Sequence, residues 1–308
     1  MVVDVHGHVT HPELLERFPM PAILGDVDGM IELKAAAGID LTIVGSPVGF
    51  GTMVPLAGHD NYDQPLDRLK SFHDWLGETV AAHPHHLRAY AYANPFGDDE
   101  LLAHVAETVR GSGFVGVMAN TSVRGEYLHV ERARPFFAMA EELGVPVFLH
   151  PPAVPVGAEA VGDLRLITHV ARFNDVTASL ALLAFHGVLD RHAGLDLIAP
   201  MAGGALALLG ERLDLAARER APGADEPSAD RQPSRALARV YVDTATTSEA
   251  ALAADLALMG PERLLFGTDS PPTTVPVEDA LALVRRLDVA EEERRAILGG
   301  NARRLFGL

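Results

Sequence analysis

The chain has 308 residues, of which 48% are hydrophobic and 22% charged, with a formal net charge of −17. This length fits one α/β barrel or two smaller domains, and the acidic balance argues against nucleic acid or an anionic membrane as a partner. No cysteine is present, which excludes disulfides, thiolate nucleophiles and cysteine-ligated zinc.

Short β-branched runs alternate with longer helical patterns along the chain. Strands are predicted at residues 2–9, 40–46, 87–93, 113–119, 145–150, 195–201, 238–244 and 263–269. Helices are predicted at residues 28–38, 65–83, 98–111, 130–144, 177–192, 203–219, 248–260 and 277–287. Eight β-then-α units predict a (β/α)8 TIM-like barrel, with residues 1–308 as a single domain. We expect residues 218–235, which are rich in Pro, Ala and charge, to form a mobile loop, and residues 290–308 to form a C-terminal helical tail.

The barrel prediction sorts the histidines by position, because barrel active sites lie at the C-terminal ends of the strands. His6 and His8 lie on the first predicted strand, two residues apart and therefore on one face, about 6.6 Å apart along the strand. His150 ends the fifth predicted strand, and Asp269 follows the eighth. Three imidazoles and one carboxylate at one rim predict a site for one divalent metal ion, with Zn²⁺ preferred and Mn²⁺, Fe²⁺ or Co²⁺ as alternatives. Each residue alone is more commonly structural, so the prediction depends on the joint pattern.

At these residues the chain resembles the amidohydrolase superfamily, in particular the amidohydrolase-2 branch that includes aminocarboxymuconate-semialdehyde, resorcylate and vanillate decarboxylases. The likeness covers almost the whole chain, and "DVHGHV", "GVPVFLHPP" and "GPERLLFGTDSP" are similar to the branch's first-, fifth- and eighth-strand motifs. The resemblance implies a mononuclear centre with His6, His8, His150 and Asp269 as its ligands. It also implies no bridging lysine on the fourth strand, and none occurs in "GFVGVMAN".

One position departs from the pattern of the branch, at the end of the sixth predicted strand. The branch normally has a histidine there, in a passage like His-Gly-Gly-Gly, whereas this chain reads "LIAPMAGGAL" and has Met201 at that position. A thioether carries no proton, and loss of a general acid or base typically lowers the rate about 10²–10⁴-fold unless another group replaces it. We expect Met201 to line an apolar pocket against a flat ring.

The rim loops contain further candidates for the site. Asp269 is expected to be both a metal ligand and a catalytic base. His169 in "LITHVARFND" and His59 in "PLAGHDNYDQ" are candidate replacements for the missing acid or base, although a plain surface histidine is the commoner case. Arg172 and Asn120 are candidate substrate-binding residues, and the Arg172 guanidinium has the fork geometry that binds a carboxylate.

Three functions stay open at this point. The preferred function is a metal-dependent hydrolase or ring-closing enzyme, for example in secondary metabolism. Such an enzyme uses a metal-activated water, or the Lewis acidity of the metal, on an acyl or imine carbon of a small aromatic substrate. The alternative is a non-oxidative decarboxylase of a small aromatic or muconate-type acid, and the third is a non-catalytic metal-binding relative. We expect a small-molecule substrate and, since no signal peptide is visible, a cytoplasmic location. A homodimer stays open, because no interface can be read from the sequence.

Overall fold

The computed structural model describes residues 1–219, 232–273 and 275–308. Its barrel strands are β1 Val3–His8, β2 Leu41–Gly45, β3 Leu87–Ala93, β4 Phe114–Asn120, β5 Val147–His150, β6 Leu197–Ala199, β7 Tyr241–Asp243 and β8 Leu264–Leu265. Neighbouring strands pair in parallel in chain order. The Val5 N–H donates to the Phe266 carbonyl just after β8 (2.9 Å), which brings the last strand back to the first. The predicted (β/α)8 barrel is confirmed.

Helical segments follow the strands and surround the barrel. The α-helices are Pro12–Arg17, Val27–Ala37, Leu66–Ala82, Asp99–Thr108, Arg134–Leu143, Ala158–Val161, Leu164–Leu166, Arg172–Phe185, Val188–Arg191, Gly210–Arg218, Pro233–Leu237, Glu249–Met259, Val277–Arg286, Glu291–Arg295 and Asn301–Phe306. The 3₁₀ turns are Ala22–Gly25, Glu131–Ala133, Leu206–Leu208 and Pro261–Arg263, the π turns are Ile167–Ala171 and Ala296–Gly300, and a hairpin pairs Ser122–Val123 with Glu126–Tyr127. Within the described ranges, no helix is long and apolar enough to cross a membrane.

The barrel interior is a packed apolar core that leaves only the C-terminal mouth for a site. Val5, Ile43, Tyr90 and Phe148 belong to one buried cluster contributed by the strands. Phe306 of the C-terminal helix packs into the same cluster. Side chains fill the interior of this fold, so ligands bind at the mouth, where the strands end.

An irregularity in β1 changes which of its residues point into the barrel. Val3 and Val5 both belong to the interior cluster, so strict alternation would turn residue 6 away from it. The pairing of β1 with β2 shifts register between Asp4 and Gly7. Within this interval, the His6 ring packs against the interior Phe148, with centroids 4.7 Å apart. The irregularity therefore redirects a functional side chain, as β-bulges commonly do.

The predicted loop at residues 218–235 is helical at both ends. Arg218 is the last residue of one helix, and the next begins at Pro233. Residues 220–231 of the predicted loop lie outside the described residues, so its mobility stays a prediction.

The segment that carries His169 and Arg172 is helical, so the prediction of a rim loop there was wrong. Its π turn Ile167–Ala171 runs directly into the helix Arg172–Phe185. Ile167, Ala171 and Asp175 are buried at four-residue spacing. Because the third of these residues is an aspartate, the apolar pattern that predicts a helix is interrupted there.

Candidate metal centre

Four side chains converge at the mouth of the barrel. Atoms of His6, His8, His150 and Asp269 that can bind a metal all lie within 4.8 Å of one another. The three imidazole rings meet edge to face, with centroids 5.0, 5.0 and 5.4 Å apart. The structure thus brings together the four residues that the sequence predicts as metal ligands.

Oxygen atoms behind the three rings determine which ring nitrogen faces the centre. Nδ1 of His6 lies 2.6 Å from a carboxylate oxygen of Asp243. Nδ1 of His8 lies 3.3 Å from the Gly45 carbonyl, and Nδ1 of His150 lies 2.8 Å from the carbonyl of the residue that follows it. Because these oxygens accept hydrogen bonds, we assign the hydrogen to Nδ1 in each ring, which directs the Nε2 lone pair toward the centre.

The surroundings of the His6 Nε2 atom show whether the cluster fits a metal ion. It is buried and has no hydrogen-bond partner in the described structure. Oδ1 of Asp269 lies 3.2 Å away without hydrogen-bond geometry, and the same oxygen lies 3.0 Å from Nε2 of His8. A buried polar atom without a partner is rare in proteins, and a cation would satisfy it. Three imidazoles and one carboxylate therefore fit a single divalent ion.

Asp269 combines an unusual backbone with an anionic side chain. Its φ of 54° lies in the left-handed region, where residues other than glycine are uncommon and often functional. Burial alone would raise the pKa of Asp269, but the neighbouring His6 and His8 hold that pKa well below its usual range. The carboxylate therefore presents negative charge to the imidazoles.

The histidines differ in their affinity for protons. Burial opposes the charged form of His6, but the carboxylates of Asp269 and Asp243 raise the pKa of His6 above its ordinary value. Burial, together with the charges of His8 and His6, holds the pKa of His150 well below its ordinary value. Metal ligands must be neutral imidazoles, so ion binding would displace the protons that the metal-free cluster shares.

Arg172 connects two rim loops close to the cluster. Its Nη2 donates to the carbonyls of Met53 (2.9 Å) and Ala153 (3.3 Å), in the loops after β2 and β5. Its Nε is buried without a partner in the described structure. Burial lowers the pKa of Arg172 to about 10 and the negative Asp269 opposes this, so the guanidinium is cationic at neutral pH and within electrostatic reach of the cluster.

Asn120 bonds to backbone groups around the site. Its Nδ2 donates to the carbonyls of Pro47 (2.9 Å) and His150 (3.4 Å). The Tyr92 hydroxyl lies 3.5 Å from its Oδ1. The amide therefore joins the end of β4 to the loop after β2 and to the end of β5, where His150 lies.

Met201 lies in a strained turn directly after β6. It has a φ of 57°, and the next three residues also have left-handed φ angles. The Met201 side chain is partly buried against the main apolar core. The Ala202 N–H lies 3.3 Å from Oδ1 of Asp243, so the turn is tied to the carboxylate that holds His6.

The two candidate acid/base histidines do not belong to the cluster of four side chains. Nε2 of His59 lies 3.0 Å from Oδ1 of Asn61, and its ring packs against Phe18, with centroids 4.8 Å apart. His169 is exposed on the π turn Ile167–Ala171. Within the part of the chain that the structure describes, neither ring is hydrogen-bonded to or stacked on the four clustered side chains.

Asp243 orients His6, but no role for it was predicted from the sequence. Asp243 ends β7, and a carboxylate at the end of a barrel strand is the sequence feature that could have indicated its role. Gly267 marks the same contact, because a Cβ there would lie 3.0 Å from the Asp243 Cβ and 3.1 Å from the His6 Cβ. A side chain at this position would push His6 or Asp243 aside by a few tenths of an ångström, so glycine favours their close approach.

The chain is similar to known proteins over most of its length. The family model described as "Amidohydrolase" matches residues 3–308. The gamma-resorcylate decarboxylase of Rhodococcus jostii (strain RHA1) is 29% identical over 265 residues, covering 80% of this chain and 78% of the relative. The 2-amino-3-carboxymuconate-6-semialdehyde decarboxylase of Dictyostelium discoideum is 22% identical over 243 residues, covering 79% and 67%.

Solved structures agree in fold over the full length. The 5-carboxyvanillate decarboxylase of Sphingomonas paucimobilis superposes with a TM-score of 0.82 at 18% identity, covering 100% of this chain and 99% of that one. A dihydroxybenzoic acid decarboxylase from Polaromonas sp. JS666, with bound manganese and the inhibitor 2-nitroresorcinol, gives 0.77 at 21% identity, covering 100% and 97%. These relatives are decarboxylases, so the comparisons support the decarboxylase alternative and not the preferred hydrolase or ring-closing enzyme. The predicted resemblance and the prediction of an enzyme of this superfamily are both confirmed. The chain belongs to the amidohydrolase family.

Proposed function

We propose that this protein catalyses the metal-dependent, non-oxidative decarboxylation of a small aromatic acid. The observation that carries the proposal is the four-donor cluster at the barrel mouth, in a chain whose curated relatives are decarboxylases. Decarboxylation needs no activated water. Replacement of the sixth-strand histidine by Met201 therefore weighs less against decarboxylation than against hydrolysis, which needs a group to take a proton from water.

In the proposed site, His6, His8, His150 and Asp269 hold one divalent ion. When bound, this ion supplies positive charge that attracts and polarises an anionic oxygen of the substrate. The donor set suits Zn²⁺ by its chemistry, and manganese is bound in the Polaromonas structure. We therefore propose Zn²⁺ or Mn²⁺, and elemental analysis of the purified protein distinguishes them.

We assign the proton transfer to Asp269. Its side chain is 31% exposed, whereas those of His6 and His8 are 0% and 7% exposed, so Asp269 is the better placed to meet a substrate. In the proposed reaction, the anionic Asp269 carboxylate takes the proton of a ring hydroxyl of the substrate and delivers it to the ring carbon that bears the substrate carboxylate. The bond to the carboxylate then breaks, CO₂ leaves, and the electron pair of that bond restores the aromatic ring. This mechanism uses neither His59 nor His169.

Arg172 is the proposed anchor for a second polar group of the substrate. Its Nη2 is held by two backbone carbonyls, which fixes the guanidinium, and its Nε is a hydrogen-bond donor without a partner among the described residues. A hydroxyl or carboxylate on the ring would accept this hydrogen bond. We propose that Met201 contributes an apolar wall for the ring, and that Asn120 supports the surrounding loops.

The test is CO₂ release from a panel of hydroxybenzoates that includes 2,6-dihydroxybenzoate, with Zn²⁺ or Mn²⁺ supplied. We expect CO₂ and the corresponding phenol in equal amounts. Asp269→Asn is expected to lower the rate by about 10²–10⁴-fold. Asp279→Asn is the matched control, because Asp279 is exposed on the helix Val277–Arg286 and should leave the rate unchanged.

Two outcomes would contradict the proposal. Turnover of activated aryl esters or amides, with no CO₂ from any aromatic acid, would favour the hydrolase. A protein that binds a divalent ion but acts on neither class of compound would be a non-catalytic relative.

A further inference from the structure

Asp4 and Lys34 form a buried ion pair behind the candidate metal centre. Nζ of Lys34 lies 2.6 Å from Oδ2 of Asp4, and the side chains are 2% and 0% exposed. Lys34 comes from the helix Val27–Ala37 and passes beside Gly7, where a Cβ would lie 3.3 Å from the ammonium nitrogen. Taking two charges out of water is costly and their mutual attraction often fails to compensate, so stability alone does not explain this pair.

Asp4 accepts four hydrogen bonds, two at each carboxylate oxygen. Oδ1 accepts from the backbone N–H groups of His6 and Thr268, both at 3.0 Å. Oδ2 accepts from Lys34 and from the Thr268 hydroxyl, the latter at 2.7 Å. One carboxylate therefore joins β1 to the segment that follows β8.

The bond to the His6 amide stabilises the irregularity in β1. The register of β1 against β2 shifts between Asp4 and Gly7, and the His6 N–H bonds to the Asp4 side chain within this interval. The shift turns the His6 ring toward the interior, so the Asp4 carboxylate fixes the backbone that directs His6 to the centre.

The bonds to Thr268 stabilise the strained backbone at Asp269. Asp4 binds both the amide and the hydroxyl of Thr268, the residue before Asp269. The Ser270 N–H donates to the same hydroxyl at 3.2 Å. Asp269, with its left-handed φ of 54°, is thus held from both sides.

The geometry points to the Asp4–Lys34 pair as a positioning device that directs two proposed metal ligands, His6 and Asp269, at the same time. Lys34 supplies the countercharge for Asp4, and Asp4 holds the two backbone segments. Neither side chain belongs to the four-donor cluster, so both are positioning residues. The inference rests on the proposed function, because it requires an ion at the cluster.

Thr268→Val tests the device with little change in volume. The variant keeps the backbone bond to Asp4 but removes the hydroxyl that connects Asp4, Thr268 and Ser270. We expect the dissociation constant for Mn²⁺ or Zn²⁺, measured by chelator competition, to rise about 10–100-fold, as for other groups that orient metal ligands. Thr268→Ser should restore wild-type affinity, because it keeps the hydroxyl. Ser179→Ala is the control, because it removes a buried hydroxyl whose one hydrogen bond within the described residues goes to the Thr121 carbonyl.

A second variant covers the charged pair itself. Asp4→Asn/Lys34→Met removes both charges together and leaves no unpaired buried ion. We expect it to fold and to bind the metal more weakly than the Ser179→Ala control. If both variants lower the melting temperature but bind the metal like wild type, the pair is only structural and the inference is overturned. If wild type itself binds no ion, the proposed metal centre fails first, so the two failures are distinguishable.

Discussion

Asp255 is a buried carboxyl, and we predict that it makes the protein less stable as the pH rises. It lies on the helix Glu249–Met259, where it is 1% exposed, and its Oδ2 has no hydrogen-bond partner among the described residues. Burial, and to a lesser degree the charge of Asp243, raises the pKa of Asp255 from 3.8 to about 8. The folded protein therefore keeps a proton on Asp255 at neutral pH.

The direction of the effect follows from proton linkage. Between about pH 4 and pH 8 the unfolded chain has lost the Asp255 proton while the folded chain keeps it, so the free energy of unfolding falls as the pH rises. One pKa unit corresponds to about 1.4 kcal/mol, so Asp255 lowers the free energy of unfolding by about that amount per pH unit in this window. The total loss of free energy of unfolding is on the order of several kcal/mol and stays constant above about pH 8.

Asp255→Asn removes the ionisation and keeps the size of the side chain. We expect the free energy of unfolding of the variant, relative to wild type, to rise by about 1 kcal/mol per pH unit between pH 5 and pH 7.5. The assay is urea unfolding at several pH values, followed by circular dichroism and by the fluorescence of the sole tryptophan, Trp75, with coincident transitions as the check of two-state behaviour. The exposed Asp279→Asn is the control.

The prediction for Asp255 is wrong if the difference in free energy of unfolding between Asp255→Asn and wild type does not change with pH. A flat difference would mean that Asp255 is ionised in the folded protein and stabilised by a neighbour. If the free energy of unfolding of Asp279→Asn, relative to wild type, rises with pH by the same amount as that of Asp255→Asn, the effect comes from net charge and not from burial.

Three further predictions concern the site. Arg172→Met should raise the KM for the aromatic acid about tenfold or more with little change in metal content. Arg172→Lys should not recover the wild-type KM, because an ammonium lacks the planar fork of the guanidinium, and steady-state kinetics of both variants test this. Asp243→Asn should weaken metal binding about 10–100-fold in chelator competition, because the carboxylate orients His6, and unchanged affinity would count against that role. Met201→His should raise the rate of CO₂ release, because it restores a proton-carrying group and histidine tolerates a left-handed φ; an equal or lower rate would contradict this.

The barrel and the four clustered residues could be predicted from the sequence because both depend on short-range patterns. Strand and helix periods alternate eight times, and barrel geometry places every strand end at one rim. His6 and His8 could be predicted from their spacing alone. His150 and Asp269 could be predicted from their place at the ends of strands. The ends of the elements were less accurate, since β8 covers only Leu264–Leu265 of the predicted 263–269.

The supporting network could not be predicted, because it depends on contacts between distant segments. Asp4 bonds to Thr268, 264 positions away, and Asp243 bonds to His6 across 237 positions. No local pattern indicates such pairs, and the register shift in β1 has no sequence period. The helix that begins at Arg172 was placed too late for a related reason, because the buried Asp175 interrupts its apolar face.

The four-donor cluster is proposed to bind one divalent ion, and the metal content of the purified protein is the first quantity to measure. Elemental analysis of wild type should be compared with a His6→Ala/His150→Ala double variant, each as isolated and after reconstitution with Zn²⁺ or Mn²⁺. We expect about one ion per chain in wild type and almost none in the double variant. Wild-type protein that holds no ion even after reconstitution, or a double variant that holds as much as wild type, would contradict it.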